Sequence, residues 1–143
     1  MSFILDTNIF NQLADGIITS EDLPKGCSYV ATHVQLDEIN NTKDSERRAR
    51  LLLCFATMRP EIVPTESFVW GVARFGHSKL SDGVLYNKMR LELDSLNGSK
   101  SNNVNDALIA EVAIKNNYTL ITADSDLAEV VKDNSGQVIY HKS

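Results

Sequence analysis

Val104-Asn105-Asp106-Ala107-Leu108-Ile109-Ala110-Glu111-Val112-Ala113-Ile114-Lys115-Asn116, followed shortly by Tyr118-Thr119-Leu120-Ile121-Thr122, is the stretch that decides the fold. The first part is apolar nearly all round at helical spacing, which marks a buried helix. The second part reads as a strand. Working outward, Asp124-Ser125-Asp126 opens a further helix through Leu127, Val130 and Val131, and Gln137-Val138-Ile139-Tyr140 reads as the last strand. Upstream, Ser2-Phe3-Ile4-Leu5 and Ser28-Tyr29-Val30-Ala31 are short β-type runs. The first leads through Asp6-Thr7-Asn8 into a short helix carrying Ile9, Phe10 and Leu13. The second leads to Thr32, a good helix N-cap, with a helix through Val34, Leu36 and Ile39. Residues 43–58 and 84–96 also read as helices, and Glu61-Ile62-Val63-Pro64 as a strand. A helix through Phe68, Val69 and Val72 is expected after Thr65, then a loop over 74–82. Strands alternating with helices predict a mostly parallel, twisted sheet flanked by helices, a three-layer α/β architecture. Neither repeat nor internal linker interrupts it, so residues 1–143 read as a single domain.

The size agrees. A chain of 143 residues should expose roughly 7,000 Å² folded against about 23,000 Å² unfolded, enough burial for a real core. The sequence contains no apolar run of spanning length, and the start of the chain lacks a basic, signal-like region; both favour a cytoplasmic protein without a membrane partner. Cys27 and Cys54 lie far apart and read as small core residues in a reducing compartment. The net charge of −5 disfavours a nucleic-acid partner at face value. Its distribution says otherwise. Residues 43–100 hold ten of the fourteen Lys and Arg but seven of the nineteen acids, so a basic middle stands between acidic flanks.

Ligands of open α/β sheets bind beyond the carboxyl ends of the strands. Asp6 follows the first strand, and Asp124 with Asp126 follows Thr122. Glu38 lies on the helix after the second strand, and Asp106 on the first turn of the apolar helix. Each has a plain alternative: acids at helix starts cap free N–H groups and favour the helix dipole, and a lone Glu is usually a solvated charge. As a set they point elsewhere. Clustered carboxylates repel and take up protons, and a hard divalent cation, Mg²⁺ or Mn²⁺, resolves the conflict. His33, His77 and His141 are scattered, and no phosphate-binding glycine loop or nucleophile elbow occurs. Phe68, Trp70 and Phe75 suit a core or base stacking. Arg47, Arg48 and Arg50 suit a solvated helix face or an RNA-binding phosphate clamp.

The motifs also resemble a known family. Phe3-Ile4-Leu5-Asp6-Thr7-Asn8 is similar to the opening of PIN-domain ribonucleases, where the first strand delivers a catalytic Asp followed by Thr or Ser. Asp37-Glu38-Ile39 resembles the second motif, with Glu38 as the matching acid. Asn105-Asp106-Ala107-Leu108-Ile109-Ala110 resembles the third, and Leu120-Ile121-Thr122-Ala123-Asp124-Ser125-Asp126-Leu127 the fourth. The order holds from residue 2 to about 140. The resemblance implies a PIN fold and endonucleolytic cleavage of RNA at Asp6, Glu38, Asp106 and Asp124, with Asp126 as a further ligand of Mg²⁺ or Mn²⁺. Thr7, Asn8 and Thr122 would orient carboxylates or water from behind. Small members of this length are often VapC-like toxins, held by a cognate antitoxin and usually dimeric. Two other classes compete. One is a catalytically silent PIN-like module that binds RNA or protein. The other is a phosphoacceptor receiver domain, disfavoured because Asp6 lacks an acidic neighbour and the strand at 118–122 leads to acids.

Overall fold

Successive side chains of a strand point to opposite faces, and that alternation sorts the core. The computed structural model describes residues 1–66 and 83–142. In β1 (Ser2–Leu5), Phe3 and Leu5 join one apolar cluster while Ile4 joins another. In β4 (Thr119–Thr122), Ile121 goes with Leu5 and Leu120 with Ile4. In β2 (Ser28–Ala31), Val30 packs on the side of Ile4 and Tyr29 on the side of Phe3. Together with β3 (Glu61–Ile62) and β5 (Gln137–Tyr140), these strands form one sheet in the order β3-β2-β1-β4-β5. Every pairing is parallel, as in Ile4 with Val30 and Leu120, Ala31 with Ile62, and Ile121 with Ile139. The third strand stops short of the expected Pro64, which has no N–H to give a ladder.

Helices cover both faces. Helix α1 (Thr7–Ala14) and α3 (Ser45–Met58) enclose Leu5, Phe10, Leu51 and Ile121 with Ile39 of α2 (His33–Asn40). On the other face, α4 (Val84–Asn97), α5 (Asn103–Lys115) and α6 (Ser125–Asp133) pack over Ile4, Val30 and Leu120. Helix α5 is buried along most of its length, from Asp106 to Ala113. Cys27 and Cys54 are free and half-buried against the α1–α3 cluster. Among the described residues no helix is long and apolar enough to cross a membrane. The helix expected after Thr65, the loop over 74–82, and Phe68, Trp70 and Phe75 lie outside the described residues.

This topology places the site. Strand β1 has β2 on one side and β4 on the other, so connections leave it in opposite directions and open a crevice at its carboxyl end. The turn from β1 to α1 is Asp6 alone. The Asp6 amide donates to the Ile121 carbonyl at 2.9 Å, extending the ladder by one step and setting Asp6 beside Thr122.

Candidate active site

Asp6 caps α1: one carboxylate oxygen accepts the Thr7 amide at 2.8 Å. The other accepts the Thr122 hydroxyl at 2.8 Å. That hydroxyl itself accepts the Asp124 amide at 3.0 Å and the Asn8 amide nitrogen at 3.4 Å. With donors on its lone pairs, its proton has one destination, Asp6. Asn8 is committed at its other end too, accepting the Ala123 amide at 3.0 Å. Asn8 and Thr122 thus hold the ends of β1 and β4 against each other.

Glu38 comes from α2. Thr32 caps that helix through the Val34 amide, and Gln35 completes a reciprocal cap. Gln35, fully buried, also donates to the Leu5 carbonyl at 3.1 Å, which ties α2 to the end of β1 next to Asp6. Glu38 then accepts the Thr7 hydroxyl at 2.9 Å. Asp37, one residue earlier, lies off the cavity, as a turn of about 100° per residue requires.

Asp124 is the N-cap of α6; one of its oxygens accepts the amides of Asp126 and Leu127, and the other accepts no hydrogen bond among the described residues. Asp126 is half-buried in the first turn of α6 and does not line the cavity. Asp106 differs from the other acids. It is 5% exposed, and among the described residues its carboxylate accepts no hydrogen bond and joins no ion pair. The helix it belongs to is capped by no side chain. Capping explains Asp124 in part and Asp106 not at all.

Asp6, Glu38, Asp106 and Asp124 line one cavity of about 200 Å³ together with Thr7, Asn8, Asn11 and Asn102. No basic side chain among the described residues lines it. The electrostatic consequence is large. Burial pushes Asp6 up to about 6, with the Asp124 charge adding and the Thr122 and Thr7 bonds opposing. Burial pushes Glu38 up to about 7, opposed by hydrogen bonding to Thr7 and Asn105 and assisted by Asp6. Asp106 is pushed up to about 9, by burial first and then by the charges of Asp6, Glu38 and Asp124; Lys100 pulls weakly the other way.

Oxygen-only donors around an uncompensated negative charge fit a hard divalent cation. As they stand, no three or more His, Cys, Asp or Glu side chains among the described residues are gathered closely enough to hold a metal ion.

The three arginines divide. Arg47 forks onto Asp15 (2.6 and 3.2 Å) and donates to Asn11 (2.7 Å). Arg48 donates to the Thr42 carbonyl at 2.9 Å. Arg50 is exposed. Sequence reasoning missed Asn11, Asn102, Asn105 and Gln35. Asn11 was within reach, since it shares a helix face with Thr7 and Asn8 at spacings of four and three.

The family model for the PIN domain matches residues 3–133. No curated protein sequence matches the chain. Among solved structures, VapBC2 from Rickettsia felis bound to a DNA fragment from the promoter is similar at 23% identity and a TM-score of 0.62, covering 98% of each chain. VapBC-1 from nontypeable Haemophilus influenzae aligns at 19% identity and a TM-score of 0.59, again over 98% of each. VapBC-5 from Mycobacterium tuberculosis aligns at 22% and 0.57, over 99% of this chain and 98% of that one. At these identities the likeness is one of fold. Fold and family model agree from the first strand to the last helix: the chain belongs to the PIN domain family.

Proposed function

We propose that this protein is a single-domain, metal-dependent endoribonuclease that hydrolyses phosphodiester bonds in RNA, and that it is the toxin of a toxin–antitoxin pair. The observation that carries the nuclease reading is Asp106, a buried carboxylate with no hydrogen-bond or ion-pair partner among the described residues, facing three more carboxylates across one small cavity. A folding argument gives no reason to keep it, because an unpaired buried charge is costly. A cation-binding site does. The toxin reading is supported by the family and by the likeness to VapBC proteins, and it brings an antitoxin as partner.

In this reading Asp6, Glu38, Asp106 and Asp124 hold Mg²⁺ or Mn²⁺. Such an ion supplies, when bound, an activated water near neutral pH and charge stabilisation at the phosphate. The chain's own residues do the rest. Thr122 and the Thr7 amide fix the Asp6 carboxylate in one orientation, and the Thr7 hydroxyl fixes Glu38. The Asp124 oxygen bound by amides anchors that side chain and leaves its second oxygen for the site. Exposed bases such as Arg50 on α3 contact phosphates away from the cavity, which positions a strand without reading its sequence.

Incubation of the purified protein with total bacterial RNA and Mn²⁺ tests this. Cleavage should stop in EDTA. Asp106→Asn should lower the rate by at least about 100-fold, the upper cost of losing even an outer partner of a metal ligand. Asp37→Asn should retain activity where Glu38→Gln does not, since only Glu38 reaches the cavity. Normal cleavage by Asp106→Asn would take Asp106 out of the catalytic set, and RNA binding without cleavage by the unaltered protein would replace the nuclease with a silent binding module.

A further inference from the structure

An RNA strand entering an all-carboxylate cavity brings its own anions, and its phosphate oxygens need donors there. The cavity offers three amide side chains. Asn8 is spent: its oxygen accepts the Ala123 amide, and its nitrogen serves both Thr122 and the Asp6 carboxylate. Asn102 is exposed, and among the described residues no hydrogen bond orients its side chain. Asn11 is different. Its oxygen accepts Arg47 Nη2 at 2.7 Å, and its nitrogen donates to the Thr7 carbonyl at 3.2 Å. A donor at one end and an acceptor at the other fix the carboxamide in one orientation. A carboxamide nitrogen has two N–H groups, so among the described residues one remains to give.

Arg47 is itself fixed. Its guanidinium forks onto both oxygens of Asp15, at 2.6 and 3.2 Å, in the planar two-point geometry that makes such pairs directional. The same Nη2 serves Asn11 and Asp15, so a carboxylate outside the cavity determines how an amide inside it is presented. Arg47 does not line the cavity.

We propose that Asn11 donates its remaining amide N–H to a nonbridging oxygen of the RNA phosphate held at the acidic cavity, and that Arg47, anchored by Asp15, is the positioning residue that presents it. This rests on the cavity being the RNA-cleaving site. Asn11 is then a substrate contact and not a metal ligand, and the basic residue expected to clamp phosphate through its charge acts instead through the fork of its guanidinium.

The test measures initial cleavage rates over a range of concentrations of total bacterial RNA in saturating Mn²⁺, for the unaltered protein, Asn11→Ser, Arg47→Lys and the double variant. Asn11→Ser should raise KM about tenfold, the worth of one hydrogen bond to a charged group. Arg47→Lys keeps the charge and loses the fork, so it should raise KM several-fold while a charge clamp would be spared. The double variant should be no worse than Asn11→Ser, because both changes remove one shared contact. The Mn²⁺-induced rise in Tm should persist in all three. A wild-type KM in Asn11→Ser overturns the proposal, as does a double variant whose loss is the product of the single ones. Should Arg47→Lys fold poorly, Asn11→Ser decides alone, since Asn11 is a half-buried residue outside both apolar clusters. An unaltered protein that cleaves no RNA overturns the nuclease reading itself, a result distinct from either of these.

Discussion

Asp106 shows at the scale of one residue how a site departs from what folding alone would select. Its carboxyl is pushed up to about 9, Glu38 to about 7 and Asp6 to about 6, all upward from ordinary carboxylate values and all by burial first. Between about pH 4 and pH 9 the metal-free native state therefore holds protons that the unfolded chain has released. Stability then falls as pH rises through that window, because the native state binds more protons than the unfolded one. We expect Tm in EDTA to decline from pH 5 to pH 9. Asp106→Asn, which has no proton to lose, should flatten the upper part of that decline and melt higher than the unaltered protein at pH 8. Thermal scans across the range check this. A Tm that rises from pH 7 to pH 9 contradicts the assigned environment of Asp106.

The elements owe their positions to packing that local sequence records well in some places and not in others. Helix α6 ends in a tight reversal: Gly136 N–H reaches the Val131 carbonyl at 2.9 Å and Ser135 N–H the Lys132 carbonyl at 3.1 Å, with Ser135 at φ 65°. A Cβ on Gly136 would come within 2.6 Å of Val131 Cγ1, 2.8 Å of Ile114 Cγ1 and 3.1 Å of the Val131 carbonyl. Gly136→Ala should therefore cost about 1–3 kcal/mol of stability, as overpacking does, seen as a lower urea midpoint with an unchanged slope. Unchanged stability would mean that α5 and α6 separate freely at that point. The alternation in β1 and β4 and the apolar girth of α5 were legible in the sequence because one residue type repeated at one period suffices to assign them. The four acids were legible as a set only through the positions of their elements. Whether Asp106 caps α5 or faces Glu38 depends on where α2 sits, and that depends on Gln35 reaching the Leu5 carbonyl. Gln35 escaped notice because a neutral amide bears no charge, and Asn11 had only its helical spacing from Thr7 and Asn8 to mark it.

The whole molecule is acidic, at −5, and four of its carboxylates are concentrated in the cavity beyond the ends of β1 and β4, where the proposed function brings an anion. In the proposed reading one divalent ion there cancels two of those charges and offsets the mutual repulsion that adds to burial in raising Asp6, Glu38 and Asp106. Anything that binds only the native state stabilises it by RT ln(1 + [L]/Kd), about 2.7 kcal/mol at a hundredfold excess over Kd. For a chain of 143 residues that corresponds to a rise of roughly 10 °C, at a few degrees per kcal/mol. The ion must displace the protons held at Asp106 and Glu38, so affinity should grow with pH. Millimolar Mn²⁺ should accordingly raise Tm more at pH 8 than at pH 6, opposing the fall of the metal-free protein. Asp106→Asn should lose most of the rise, while Arg50→Gln, on the exposed surface of α3, should keep it. Superimposed scans with Mn²⁺ and with EDTA at pH 8 would leave the four carboxylates without a cation and the proposed chemistry without its source of activated water.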